Sequence, residues 1–489
     1  MSYLYFDKDH LVNLHFSLTD EFIETNRVGC YSSSSIVLCN TRKYHGLLIA
    51  PVDQFKGERH VLLSAMDETI IQHGQEFHLG THQYPNDVIE PDGAKYLWEF
   101  TFEENPKWLI RVGGVLLEKE IFLSLEEARL FVRYTLVEAH SQTRLQLKPY
   151  LAFRNIHSLT KGNMDVNTRS MKCKNGISVK LYNGFPRLYM QLSRKNEFVS
   201  SPDWYYNIEY TREFERGYES NEDLFVPGFF EAELKKGETL TFTAGLSELA
   251  VQNISRKANH EKNKKNDRQD MVSTLKASAE NFITSLNNQQ EVIAGFYWFA
   301  QWGRDSLIAL AELTLNQGRT SDFFAVIDDL AAQMKNGLMP NAVFNKKVTY
   351  NAIDTPFWFI WAIQQYVIRN ENQKKWIWEN YGNVIETIFK HFMNGTDFNI
   401  HIKENGLVYG GEKGVALTWM DAMIDDQPVT PRAGAPVEVN ALWYNAIVFA
   451  LDLAGKSDDK KFISKYERWP EIVSESFIDC FWDEEKGYL

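Results

Sequence analysis

Two short runs in the second half of this chain set side by side groups that could act on a sugar. Trp302-Gly303-Arg304-Asp305 offers an indole face, a guanidinium fork and a carboxylate, and Thr418-Trp419-Met420-Asp421 ends on a carboxylate beside another indole. A guanidinium and a carboxylate held together bind vicinal hydroxyls, one donating and the other accepting. A carboxyl next to an aromatic ring loses solvent, which raises its pKa toward the range in which it can hand a proton to a leaving oxygen. Each run also has a plainer explanation. An Asp opening a helix can simply cap it, an Arg beside it can pair at the surface, and Asp421 could be a solvated turn residue with Asp425 and Asp426. Their company favours a site: Asn341, Asn351 and Asp354 lie on the next long connection. Gly406, Gly410, Gly411 and Gly414 let the stretch before Asp421 fold closely around a ligand. Glu438 opens the following helix, either as a favourable first-turn anion or as a ligand contact.

These residues need elements to position them. Apolar stripes of helical period run through Phe323, Val326, Ile327, Leu330, Ala331 and Met334, stopping at Gly337, and through Val439, Leu442, Trp443, Ala446, Ile447, Ala450 and Leu453, stopping at Gly455. Similar patterns predict helices near 273–286, 304–316, 356–369, 374–394 and 460–481, with Pro356 suited to a first turn. About seven helices result. Long connections at 287–303, 337–354 and 395–437 alternate with short ones, and in an array of helical hairpins every long connection then falls on one rim. Such pairs describe an (α/α)6 toroid, incomplete here, since twelve helices of about 11–12 residues need more chain. From about 30 to 250 the period is two, in runs such as KWLIRVGGVLLEKEIFLS and ARLFVRYTLVEA broken by GG, NG and polar turns, which predicts an antiparallel β-sandwich. The chain therefore reads as a sandwich over 1–253, a polar linker over 254–271 that is either solvated or an exposed helix, and the toroid over 272–489. His260 and Glu261, in the linker, read as solvated.

Bulk properties exclude several function classes. A net charge of −13 over 489 residues argues against nucleic-acid binding, which needs a basic face. Cys30, Cys39, Cys173 and Cys480 lack CxxC spacing, so neither a disulfide framework nor a zinc site is indicated, and reduced thiols suit a cytoplasmic protein. Neither a leader with an apolar core nor an apolar run near 20 residues is evident, so a membrane is not an expected partner. Metalloprotease, P-loop and GxSxG motifs are missing, and no cofactor is expected. With 13 Trp and 22 Tyr the chain has many flat platforms for sugars, although ordinary burial explains any single one.

TRKYHGLLIAP near the N-terminus, then WFAQWGRDSLIAL, LMPN, YNAIDTPFWF, YGGEKGVALTWMDA and TPRAGAPVEVNALWYNA, resembles the glycogen debranching enzyme family, in its amylo-α-1,6-glucosidase portion of the short bacterial and archaeal type. The resemblance covers both halves of the chain. It implies a sandwich followed by a toroid, inverting hydrolysis of α-1,6-linked branch glucose, Asp421 as general acid, and Arg304 and Asp305 holding the terminal glucose. It also implies a general base beyond Leu489. The helix count places Asp421 in the loop between the fifth and sixth helices, where the family has its acid. Trp302, Asn341, Asn351, Asp354, Trp419 and Glu438 complete the expected contacts with glycogen or a branched α-glucan. Tyr44 and His45 are candidates from the β domain, equally explained by an ordinary strand. Two other readings stay open: another toroid glucoside hydrolase or phosphorylase, and, because no residue of this chain is assigned as the general base, an inactive glucan-binding protein that does not cut. Oligomeric state is not fixed by the sequence.

Overall fold

The computed structural model describes residues 3–286, 289–344 and 347–489. Asn287, where the first long connection begins, and Asn345 and Lys346 within the second, lie outside the described residues. The chain divides into two compact units, Met1–Leu286 and Asn287–Leu489.

The first unit is built from a nine-stranded and an eight-stranded sheet. Arg129–Glu138 lies near the middle of the nine-stranded sheet, between Val115–Leu123 and Thr239–Gly245, and Thr143–Asn155 lies between Glu58–Gln72 and Asn221–Leu234 in the other, all antiparallel. Alternation of side chains between faces drives Leu130, Val132, Tyr134 and Leu136 into a common core with Leu62, Leu63 and Leu145 from the second sheet. The turn between Pro106–Val112 and Val115–Leu123 is Gly113-Gly114, both at positive φ (56° and 78°), as a tight hairpin of this hand requires.

The polar stretch expected to be a linker is folded against this unit. Helix α1, Val251–Lys262, buries Ile254 and Ala258, the latter against Phe122 and Phe131. Glu261, expected to be solvated, is buried and accepts from Leu125 N–H at 2.9 Å. After it, Arg268 donates to the Glu103 and Glu104 carbonyls and lies 4.0 Å over Phe102, while Lys265 reaches Glu24 at 2.7 Å. Two apolar residues one helical turn apart suffice to dock a helix whose other faces are charged. Helix α2, Met271–Glu280, is shorter than the expected 273–286; after Asn281, which pairs with Thr25 Oγ1, the chain enters a strand, Ile283–Leu286. The compact units thus meet at 286/287 rather than at a linker over 254–271.

The second unit contains α3 (Gly303–Thr314), α4 (Thr320–Ala332), α5 (Thr355–Arg369), α6 (Lys374–Asn394), α7 (Val437–Lys456), α8 (Lys460–Tyr466) and α9 (Trp469–Phe481). Helix α3 packs on α5 and α5 on α7, while α4, α6 and the α8–α9 pair pack beside them, giving an inner arc with outer helices. The helix expected over 460–481 breaks into α8 and α9 because Pro470, in the first turn of α9, cannot supply the N–H a continuous helix needs. Long connections precede α3, α5 and α7, and short ones follow them. Among the described residues, α7 alone is long and apolar enough to cross a membrane by composition; half of it is buried, with Trp443, Ala446 and Ile447 fully enclosed.

Candidate active site

The long connections are stitched to one another before any charged group is considered. Gly303 N–H donates to the Asn341 carbonyl at 2.6 Å, and Trp302 bridges Ala342. A Cβ at position 303 would stand 1.9 Å from the Pro340 carbonyl oxygen, so only glycine admits this approach. The second connection is tied to the third by Ile353 N–H to the Leu417 carbonyl (3.0 Å) and by Asn351 Nδ2 to the Ala416 carbonyl (3.4 Å). Asn341 and Asn351 meet at the long limit of a hydrogen bond, 3.5 Å, and Asn341 is buried. The two asparagines therefore join loops.

On this frame sits a charged cluster. Arg304, 7% exposed, forks onto Asp354 through Nε (2.7 Å) and Nη2 (2.9 Å), and its remaining Nη1 lies 3.7 Å from Asp421 Oδ2. Burial disfavours the guanidinium charge, but Asp354, then Asp421 and Asp305, outweigh it and hold the Arg304 pKa above its usual value. Asp354 precedes α5 in the position of a helix cap, yet its side chain caps nothing: both oxygens are taken by Arg304, and the Trp358 indole adds a donor at 3.3 Å. Asp305 lies in the first turn of α3 and is exposed. Crowding by surrounding protein, with Asp421 and Asp354 adding negative charge, nevertheless raises its carboxyl above the ordinary range against the pull of Arg304.

Opposite lies a second pair. Arg432 forks onto Glu438, in the first turn of α7, with Nη2 to Oε2 at 2.9 Å, and its Nη1 also donates to Thr418 Oγ1 at 3.0 Å. Burial works against the Glu438 charge, but Arg432, a backbone N–H and the Trp419 indole hold its pKa below the usual value. Trp419 is 56% exposed and the Asp421 side chain one third exposed, so the indole does not enclose the acid.

Arg304, Asp305, Asp354 and Asp421 are thus neighbours, and Glu438 is paired with Arg432, whose charge also interacts with Asp354. Trp302, Asn341 and Asn351 serve the loop frame. Three participants were not read from sequence: Arg432, the Thr418 hydroxyl and Trp358. Arg432 lies in the quoted TPRAGAP run, six residues before Glu438, and Trp358 lies one helical turn after Asp354, so both had a spacing signal. Tyr44 and His45 belong to the first unit, in the turn before strand Gly46–Val52. His45 is fully buried; its Nδ1 accepts from Thr41 N–H, which puts its proton on Nε2, 3.7 Å from Glu21. Among the described residues no group of His, Cys, Asp and Glu is arranged to hold a metal ion.

Comparison with known proteins gives the chain a family. Residues 20–241 match the family model for the N-terminal part of glycogen debranching enzymes, and residues 270–489 match the model for amylo-alpha-1,6-glucosidase. The glycogen debranching enzyme of Saccharomyces cerevisiae is 26% identical over 245 residues, covering 38% of this chain, and the chain spans 16% of the length of that relative. A bacterial glucoamylase solved with acarbose superposes over 99% of this chain and 68% of its own, with a TM-score of 0.50 at 10% identity, a likeness of fold. Two family models that together run through both units leave one assignment: the chain belongs to the glycogen debranching enzyme family.

Proposed function

We propose that this chain is a glycoside hydrolase that removes α-1,6-linked branch glucose from glycogen or a limit dextrin with inversion. The observation that carries this reading is the meeting of Arg304, Asp354 and Asp421, contributed by three separate connections, with the third guanidinium nitrogen left facing the acid. Arg304 and the exposed Asp305 offer donors and an acceptor to the hydroxyls of a terminal glucose. Trp419 offers a half-exposed ring face to a pyranose. Asp421 would protonate the glycosidic oxygen while a second carboxylate, about 6.5–9.5 Å away in an inverting enzyme, activates water from the opposite face. Asp354 and Glu438 are poor candidates for that base, since each already accepts from a guanidinium fork. No cofactor is needed for this chemistry, and a cytoplasmic setting, where glycogen is stored, suits the free thiols of Cys30, Cys39, Cys173 and Cys480.

The test is product analysis with branched limit dextrin and with linear malto-oligosaccharide. Free glucose from the branched substrate, appearing first as the β-anomer by proton NMR, is the expected result. Release of α-glucose would remove the inverting mechanism. Sugar phosphate formed only when phosphate is supplied would favour a phosphorolytic relative, and tight binding without release would favour a non-cutting glucan binder.

A further inference from the structure

Little packing holds Asp421 where it stands. Thr418 is buried, but Trp419 and Met420 are exposed, and so is the segment 422–427 that follows, with Asp425 and Asp426 at positive φ in its turn. A short hairpin, Met423–Ile424 with Gln427–Pro428, folds this segment back on itself, and Val429 N–H closes it on the Ala422 carbonyl at 2.9 Å. The Gly410–Gly434 bridge, 2.9 Å in each direction, joins the base of the connection. Between that bridge and the hairpin, one side chain crosses the neck of the loop: Arg432, to Thr418 Oγ1 on the near strand and to both oxygens of Glu438 on α7. The residue three before the acid is therefore tied, through Arg432 and Glu438, to the first turn of a core helix.

We propose that Arg432 is a positioning residue: by clamping Thr418 and Glu438 it fixes where the following residues, Trp419 and Asp421, stand relative to Arg304. This rests on the reading of Asp421 as the general acid. The guanidinium is suited to the task because its planar fork satisfies both Glu438 oxygens and still reaches the Thr418 hydroxyl, which an ammonium on a flexible stem cannot do at once. A carboxyl displaced by about an ångström from its productive place loses on the order of 10²-fold in rate.

The test compares Arg432→Met, Arg432→Lys and wild type on branched dextrin, with thermal unfolding to confirm folding. Arg432→Met should lower kcat about 10²-fold with a much smaller change in KM, and Arg432→Lys should recover part of the loss. A second readout does not depend on turnover: the Met variant should shift tryptophan emission to the red, and the shift should vanish when both proteins carry Trp419→Phe. Wild-type kcat in a folded Arg432→Met, or an unchanged emission, would overturn the clamp while leaving the assignment of Asp421 intact. Failure of the wild type itself to release glucose would instead remove the hydrolase reading, and the clamp with it.

Discussion

Both units bury ion pairs, but they use them in opposite ways. In the β unit, Arg154 and Glu222 are 5% and 0% exposed; the guanidinium takes both carboxylate oxygens, and Tyr210 O–H and Thr160 N–H add donors. Lys119 and Glu68, equally sealed, are joined by Tyr134, and Asp67 is closed off by His82 and Tyr150. Every such charge is satisfied inward. In the helical unit the pairs are closed on one side only. Arg304 spends two nitrogens on Asp354 and faces Asp421 with the third, Asp421 is one third open to solvent, and Asp305 and Trp419 are exposed. The difference teaches how to tell a structural charge network from a working one: the working one leaves donors, acceptors and a ring face unspent. Burial alone does not separate them, since Arg304 and Arg154 differ by two percentage points in exposure (7% against 5%).

The sharpest way to break this contrast is to remove one cation from each unit. Arg154→Met strands the fully buried Glu222 and should cost about 3–5 kcal/mol, read as a lowered urea midpoint, whereas Arg154→Met with Glu222→Leu should recover much of that loss. Arg304→Met leaves Asp354, 2% exposed, with the Trp358 indole alone, so a stability loss of the same order is expected, and here dextrin binding is lost as well while the protein remains folded. Dextrin binding retained by a folded Arg304→Met would erase the distinction. A smaller effect, with a definite sign, is expected at Glu291 on strand Gln289–Val292. Burial, helped by the Asp329 charge, pushes its carboxyl up to about 7. The native state then holds a proton that the unfolded chain releases at lower pH. Stability falls as pH rises from the ordinary Glu range to about 7, and the deficit stays constant above. Glu291→Gln mimics the protonated form, so it should stabilise the protein by about 1–3 kcal/mol at pH 8 and by little at pH 4. Equal effects at both pH values would show that the carboxyl titrates normally.

What sequence reasoning could see follows the same division. Period-two runs such as Arg129–Glu138 and helical stripes such as that of Phe323 and Leu330 reflect a single buried face, which a linear pattern records directly. The alternation of long and short connections was legible too, and with it the rim on which Arg304, Asp354 and Asp421 gather. The docking of helix α1 was missed because a window of mostly charged residues hides the fact that Ile254 and Ala258 are enough to hold it. The partner of Arg304 was missed because Asp354 is 50 positions away, and only folding tells which carboxylate a guanidinium chooses. The second clamp was nearer to hand, since Arg432 and Glu438 are six apart, but a loop arginine has many fates. Asp421 itself was read as desolvated by its aromatic neighbour, whereas its side chain is one third exposed and Trp419 is exposed beside it.

The most direct test of the helical rim as the working site is Asp421→Asn, assayed for glucose release from a branched limit dextrin and for dextrin binding in parallel. The amide keeps the shape beside Arg304 but has no proton to give the leaving oxygen, and general acid catalysis is worth about 10²–10⁴-fold. The expected result is turnover reduced by that order with affinity nearly unchanged. Wild-type turnover in the Asn variant would contradict the assignment and return Asp421 to the status of an ordinary loop carboxylate.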